Sequence, residues 1–317
     1  MNPRSLITGG AGFIGSHLVE SLLERGHAVT VLDNLSSGHL SNLTHLLDRI
    51  TFIEGDIRDP GAVGAASQGC EIIFHQAAMV SVPQTVQEPV ESAMVNDIGT
   101  LTVLEAAHKN RVKRVVLASS CAVYGDEPTL PKKEAMTLNP MSPYAVQKMG
   151  GEYYARLYDA LYGVETVCLR YFNVYGPRQD PSSPYSGVIS IFLTRAAEEK
   201  EPIVYGDGDQ SRDFIFVKDV VRANLLAAYT PGISGSVFNI GTGHAISVNH
   251  LWDSICKLGG VQMAAVHEPG RAGDIRHSLA DIARAKEHLG FSPEYPFEDG
   301  LALTYNWYKT DQPNKSN

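Results

Sequence analysis

Cysteine is scarce and scattered. The four thiols, Cys70, Cys121, Cys168 and Cys256, lie far apart and form no CxxC pair. That spacing indicates neither a zinc site nor a disulfide framework, and it suits reduced cytosolic thiols. Positive charge is in deficit, with 26 Lys and Arg against 35 Asp and Glu, a net charge of −9. Such a chain is a poor candidate for nonspecific nucleic-acid binding, while a local basic pocket for a phosphorylated small molecule is still allowed. No apolar run approaches the roughly 20 residues needed to cross a bilayer, and no signal peptide precedes the first apolar run, Arg4-Ser5-Leu6-Ile7. A soluble, cytoplasmic protein with no metal, no membrane contact and no nucleic-acid partner is expected. Repeats and low-complexity segments are absent, and the polar tail from Thr310 to Asn317 reads as frayed.

What is present is apolar substance: 44% of 317 residues are hydrophobic, enough for one large domain or two coupled ones. The first half alternates short apolar runs with amphipathic stretches. Strands are predicted at Ser5–Thr8, Ala28–Leu32, Thr51–Glu54, Ile72–His75, Val115–Ser119 and Val164–Tyr171, with helices at Gly15–Arg25, Val90–Lys109 and Tyr144–Tyr162. Alternating β and α implies a doubly wound, Rossmann-like parallel sheet with helices on both faces. After about residue 175 turn-rich stretches appear, such as Gly206-Asp207-Gly208-Asp209. The expected organisation is a dinucleotide domain over 1–175 and a smaller α/β substrate lobe over 176–317, with 213–242 returning to the first domain.

Two short patterns carry chemistry. Thr8-Gly9-Gly10-Ala11-Gly12-Phe13-Ile14-Gly15 follows a strand and opens a helix. Glycines there permit a tight turn and close approach of a pyrophosphate to the helix N-terminus. Asp33 ends the second strand, 18 residues after Gly15; a carboxylate there can bond the ribose diol of NAD and repel the extra phosphate of NADP. Tyr144 and Lys148 are four residues apart, on one face of a helix. A phenol is a poor base at neutral pH, but a nearby cation favours the phenolate. Together these groups can take a proton from an alcohol while hydride leaves the same carbon.

The Gly-x-x-Gly-x-x-Gly spacing, Tyr-x-x-x-Lys, Ser119-Ser120-Cys121-Ala122-Val123-Tyr124-Gly125 and Leu169-Arg170-Tyr171-Phe172-Asn173 together resemble the extended short-chain dehydrogenase/reductases, which act largely on nucleotide sugars. The resemblance runs over nearly the whole chain. It implies Ser120, Tyr144 and Lys148 as the catalytic group. It implies NAD held by Gly9, Gly12, Phe13, Ile14, Gly15, Asp33 and Asn34, with Asp56 and Ile57 flanking the adenine, Ala77 and Ala78 along the cofactor, and Asn96 steadying the sheet edge. Asn173, Arg212, Arg271 and Asp274 would hold the UDP portion. Related dehydratases carry Asp-Glu where this chain has Cys121-Ala122, and a Glu needed by UDP-glucuronate decarboxylases is missing too; both argue against those reactions. Cys121 reads as a small buried thiol. Ser278 stands where 4-epimerases limited to plain hexoses have a bulky Tyr. With Ser81, Gln179 and Gly187 at the sugar end, the chain is similar to bacterial UDP-N-acetylglucosamine 4-epimerases. The resemblance therefore implies interconversion of UDP-GlcNAc and UDP-GalNAc, with UDP-glucose and UDP-galactose also accepted. A UDP-uronate 4-epimerase or a dehydratase is the alternative, with Arg276 as the candidate for a sugar carboxylate. It also implies a homodimer through helices like Val90–Lys109 and Tyr144–Tyr162.

Overall fold

The computed structural model describes residues 2–180, 187–270 and 275–310. In chain order the strands are β1 (Arg4–Thr8), β2 (Ala28–Asp33), β3 (Ile50–Glu54), β4 (Ile72–His75), β5 (Arg114–Ser120), β6 (Glu165–Tyr171), β7 (Asn173–Tyr175), β8 (Ile203–Tyr205), β9 (Ser211–Arg212), β10 (Phe214–Phe216), β11 (Ser236–Ile240), β12 (Ile246–Ser247) and β13 (Val266–Glu268). The helices are α1 (Phe13–Glu24), α2 (Pro60–Ser67), α3 (Val82–Gln87), α4 (Pro89–Ala93), α5 (Gly99–Lys109), α6 (Pro143–Tyr162), α7 (Val188–Ala197), α8 (Val217–Tyr229), α9 (Val248–Gly259), α10 (Ala283–Leu289) and α11 (Phe297–Thr310).

Seven strands form one sheet in the order β3-β2-β1-β4-β5-β6-β11, every pairing parallel. The strand sequences explain it. Leu6, Ile73 and Val115 pack into one buried cluster with Val63, Val103 and Leu104 of α2 and α5. Their neighbours Ile7, Phe74 and Val116 pack into another with Leu18, Leu22, Val220 and Leu225 of α1 and α8. Adjacent strand residues point to opposite faces, so a run apolar at every position is what a sheet covered on both sides needs. The order reverses between β1 and β4, and ligands of such sheets bind outside the strand C-termini at that reversal. The remaining strands pair as β10-β7, β12-β9 and β13-β8. A third cluster joins Phe192, Leu251, Trp252, Leu301 and Tyr305 of α7, α9 and α11 to Tyr175, Phe214 and Phe216.

Local chemistry sets the ends of α6. Ser142 accepts from the Ala145 N–H at 3.2 Å, Pro143 starts the helix, and Gly163 closes it in the left-handed region at φ 68°. Two elements differ from expectation. The helix predicted over Val90–Lys109 contains a π turn at Met94–Ile98 between α4 and α5, which turns Asn96 inward, where it is buried. Helix α2 escaped prediction because its two glycines, Gly61 and Gly64, dilute any helical periodicity; its start is nonetheless signalled by Asp59, which accepts from Gly61 N, and by Pro60.

Candidate active site

The glycine turn lies at the reversal. Gly9 has φ 70°, and a Cβ there would sit 2.7 Å from Ala77 N. A Cβ on Gly15 would lie 2.1 Å from Gly9 O. Gly9 lets the β1–α1 turn close against the loop after β4, and Gly15 lets the turn close on itself. Gly12 differs, because a Cβ there would meet only Gly9 O, at 3.2 Å. It leaves open space before the start of α1, where no side chain caps the helix. Uncapped N–H groups with the helix dipole behind them suit a pyrophosphate. Phe13 and Ile14 begin that helix, half-buried against the core.

Asp33 is buried beside this turn. One carboxylate oxygen accepts from Ala11 N and the other from Leu35 N, both at 2.9 Å. Burial raises its pKa despite these bonds, and each oxygen keeps a further lone pair for a ribose hydroxyl. Next to it the exposed Asn34 donates to Asp56 at 2.9 Å. Asp56 also takes a bidentate pair from Arg58 that pulls its pKa down to about 2. Ile57 is buried against Gly99. Ala77 and Ala78 are half-buried in the loop after β4, where Ala77 N reaches Thr8 Oγ1 at 3.4 Å. Asn96 spends its whole amide on the protein: it accepts from Met79 N at 2.8 Å and donates to Met79 O at 3.0 Å and Gln147 Oε1 at 2.7 Å. It pins that loop to the helix carrying Tyr144 and Lys148.

Ser120, Tyr144 and Lys148 come together where β5 ends against α6. The Ser120 hydroxyl accepts from Ala122 N at 3.2 Å and lies near enough to the Tyr144 phenol to influence its ionisation. Burial pushes that phenol up to about 12, partly offset by Ser120. Lys148 lies beside Tyr144. Its ammonium donates to Ala118 O at 2.9 Å and sits 5.8 Å from the Tyr144 ring centroid. Burial lowers it to about 8. The i, i+4 spacing puts both on one face, and the cation lies between the ring and the Ala118 carbonyl.

Part of the expected sugar end, Cys121 with Ser278 and Arg212, lies near this group. Cys121 lies beside Ser278 and close enough to Tyr144 and Arg212 to interact electrostatically with both; burial raises its thiol to about 11. Ser278 is placed by its N–H donating to Ser211 O at 3.0 Å. Arg212 donates to Ser211 O and Arg276 O. Asn173 starts β7, its N–H bonded to Asp213 O and its side-chain oxygen buried with no partner among the described residues. An orphaned buried acceptor is costly, and a ligand donor would satisfy it. Gln179 and Gly187 meet, since a Cβ on Gly187 would lie 3.4 Å from Gln179 Nε2. Ser81 caps α3 by accepting from Gln84 N at 3.2 Å, which leaves its O–H to donate. Arg271 and Asp274 lie outside the described residues.

Some supports were not foreseen. Asp213, fully buried, accepts from Thr242 N, Thr242 Oγ1, Gly243 N and Ala280 N, and so fixes its neighbour Arg212. Glu152 takes a bidentate bond from Arg170, at 2.8 and 2.7 Å, and accepts from Ser119 at 2.5 Å. Ser119 therefore serves this buried network, while Ser120 faces the phenol. The signal was there: Tyr144, Lys148 and Glu152 fall at i, i+4 and i+8, on one helix face.

A glycine turn at a parallel-sheet reversal, with a Ser-Tyr-Lys group where β5 meets α6, belongs to the short-chain dehydrogenase/reductase class. Within it, the chain belongs to the NAD dependent epimerase/dehydratase family, whose model matches residues 5–241, and NAD is its cofactor. The UDP-glucose 4-epimerase of Mycolicibacterium smegmatis is 41% identical over 96% of this chain and 98% of its own length. The crystal structure of UDP-glucose 4-epimerase with UDP-glucose from Thermotoga maritima superposes with TM-score 0.92 at 41% identity, covering 96% of this chain and 98% of that one. UDP-N-acetylglucosamine 4-epimerase from Methanobrevibacter ruminantium, in complex with UDP-N-acetylmuramic acid, gives TM-score 0.93 at 39% identity, covering 97% and 98%. Relatives named as a UDP-N-acetyl-alpha-D-glucosaminuronate decarboxylase and a dTDP-glucose 4,6-dehydratase also match.

Proposed function

We propose that this enzyme inverts C4 of UDP-N-acetylglucosamine and UDP-N-acetylgalactosamine, and also turns over UDP-glucose and UDP-galactose. The observation that carries the reading is the pairing of two small side chains, Cys121 and Ser278, beside Tyr144. Small groups there leave room for a 2-acetamido substituent. The Methanobrevibacter neighbour supports the acetylated substrate, and the Thermotoga and Mycolicibacterium relatives support the plain hexose.

Bound NAD supplies removal of hydride from C4 and its return. Tyr144 takes the O4 proton and later gives it back, and the Ser120 hydroxyl holds O4 while it does so. Lys148 adds positive charge beside the ring, which favours the phenolate once a second cation is near. The oxidised 4-keto sugar must show its other face before hydride returns. Holding the diphosphate firmly and the hexose loosely falls to Asn173 and Arg212, whose guanidinium fork suits phosphate. Residues 1–175 with the returning 213–242 make the NAD half, and the rest makes the sugar lobe.

The alternatives carry less. Arg276 pairs at 2.7 Å with Asp207, both well exposed, and is thereby directed away from a sugar carboxylate. Cys121-Ala122 offers no acid pair for dehydration. A second copy of the chain is the expected partner: Val90, Met94 and Ile98 line up with Tyr153, Leu157 and Leu161 of α6 as exposed apolar side chains, and light scattering should give a dimer. Purified protein assayed with UDP-GlcNAc, UDP-glucose and UDP-glucuronate tests the reading. Turnover of the plain hexose alone removes the acetylated assignment, and turnover of the uronate favours the alternative.

A further inference from the structure

The segment from Gly176 to Asp180 joins the cofactor helix to the sugar end, and its fastenings are unusual. On one side α1 holds it. His17 Nε2 donates to Pro177 O at 3.0 Å, and Arg178 Nη2 pairs with Glu20 Oε1. Glu20 Oε1 also accepts from His45 at 2.8 Å, and Asp180 contacts His39 at 3.2 Å. Burial lowers His17 to about 4, so it stays neutral and bonds the carbonyl as a plain donor. On the other side α11 holds the segment, the Tyr308 hydroxyl donating to Gln179 O at 2.7 Å.

Arg178 occupies this place at a cost. Its φ is 69°, in the left-handed region that strains a side chain and favours glycine. Its Nη1 is buried without a hydrogen-bond partner among the described residues, another unfavourable feature. A turn alone would be better served by glycine. What arginine adds is the half-buried pair with Glu20, and the residue it immediately fixes is Gln179, whose amide faces Gly187.

We infer that Glu20 and Arg178 are positioning residues: a latch from the NAD-binding helix that sets Gln179 at the sugar end and so tunes the choice between acetylated and plain hexose. This rests on the reading of Gln179 as a sugar-end residue. A latch of this kind acts on substrate binding, not on the proton transfer at Tyr144.

The test uses NAD-loaded enzyme with UDP-GlcNAc and UDP-glucose, and compares Arg178→Gly, Arg178→Lys, Glu20→Gln, Gln179→Ala and the double variant of Arg178→Gly with Gln179→Ala. Arg178→Gly relieves the backbone strain while removing the pair. It is expected to hold its full NAD, to raise KM about tenfold with kcat within about threefold, and to change the kcat/KM ratio between the two sugars by more than about threefold. Arg178→Lys should recover part of the loss. Gln179→Ala should resemble Arg178→Gly, and the double variant should be no worse than either, because both act through one side chain. Should Arg178→Gly not fold, Glu20→Gln, which keeps shape and an acceptor, is expected to raise KM about threefold on its own. Unchanged KM, a loss in kcat alone, an unchanged ratio between the sugars or additive losses in the double variant overturns the latch. If the wild type turns over only the plain hexose, the acetylated assignment has failed, while the latch is still judged by KM and non-additivity on that sugar.

Discussion

Gly12 and Gly15 sit three residues apart in one turn, yet they answer to different demands, and alanine at each should separate them. At Gly15 the added Cβ would lie 2.1 Å from Gly9 O and 2.8 Å from Gly10 Cα. Both are backbone atoms, so the turn itself must move. Overpacking of this kind costs roughly 1–3 kcal/mol or more, and at about 2–4 °C per kcal/mol for a domain of this order the Tm should fall by several degrees even without cofactor. At Gly12 the Cβ would meet only Gly9 O at 3.2 Å, and its φ of −76° is open to any residue. The small crowding and the reduced freedom of the unfolded chain oppose each other, each below about 1 kcal/mol, so the cofactor-free Tm should move by less than about 2 °C. What Gly12→Ala fills is the space a pyrophosphate would use. Its NAD affinity should fall at least tenfold, about 1.4 kcal/mol. The assays are thermal unfolding of nucleotide-stripped protein and the NAD released by denaturing purified protein. If Gly12→Ala retains full NAD, or loses as much Tm as Gly15→Ala, this division of labour is wrong.

Tyr144→Phe should lower turnover on the order of 10²-fold or more with UDP-sugar binding by calorimetry intact; near-normal epimerisation would sink the mechanism. Nucleotide released from wild type should be NAD(H) and not NADP(H), whereas Asp33→Ala should accept both and lose stability, because Ala11 and Leu35 N–H lose their acceptor, at about 1 kcal/mol for each bond. Ser278→Tyr should abolish turnover of the acetylated sugars through a clash the plain hexose avoids, with UDP-glucose turnover kept or raised; equal loss on both would mean the pocket was merely damaged.

The sheet was legible because strands buried on two faces leave runs such as Val115–Ala118 apolar throughout, with no surface to confuse the pattern. The placing of Tyr144 beside Lys148 was legible because that spacing is local, four residues along one helix, whereas Ser120 reaches them from the end of β5. Contacts between distant segments were not. Nothing near Glu152 in the chain announces Arg170 or Ser119, and nothing near Arg212 announces that Asp213 would hold Thr242 and Ala280. Side-chain direction was also hidden. The spacing puts Lys148 and Tyr144 on one face, but the Ala118 carbonyl decides where the ammonium goes. The π turn escaped for a related reason, since it depends on Asn96 finding Met79 and Gln147 rather than on any preference of its own residues.

The pairing of β11 with β6 has a consequence for synthesis. β6 ends at Tyr171 and β11 begins at Ser236, so the ribosome must deliver much of the small lobe before the large sheet can finish. Until then the row of N–H and C=O groups along β6 is an open seam, ready to zip onto another nascent chain. A gene cut after residue 175 should therefore yield insoluble protein, and the same fragment supplied with a peptide spanning 236–240 is where rescue should begin.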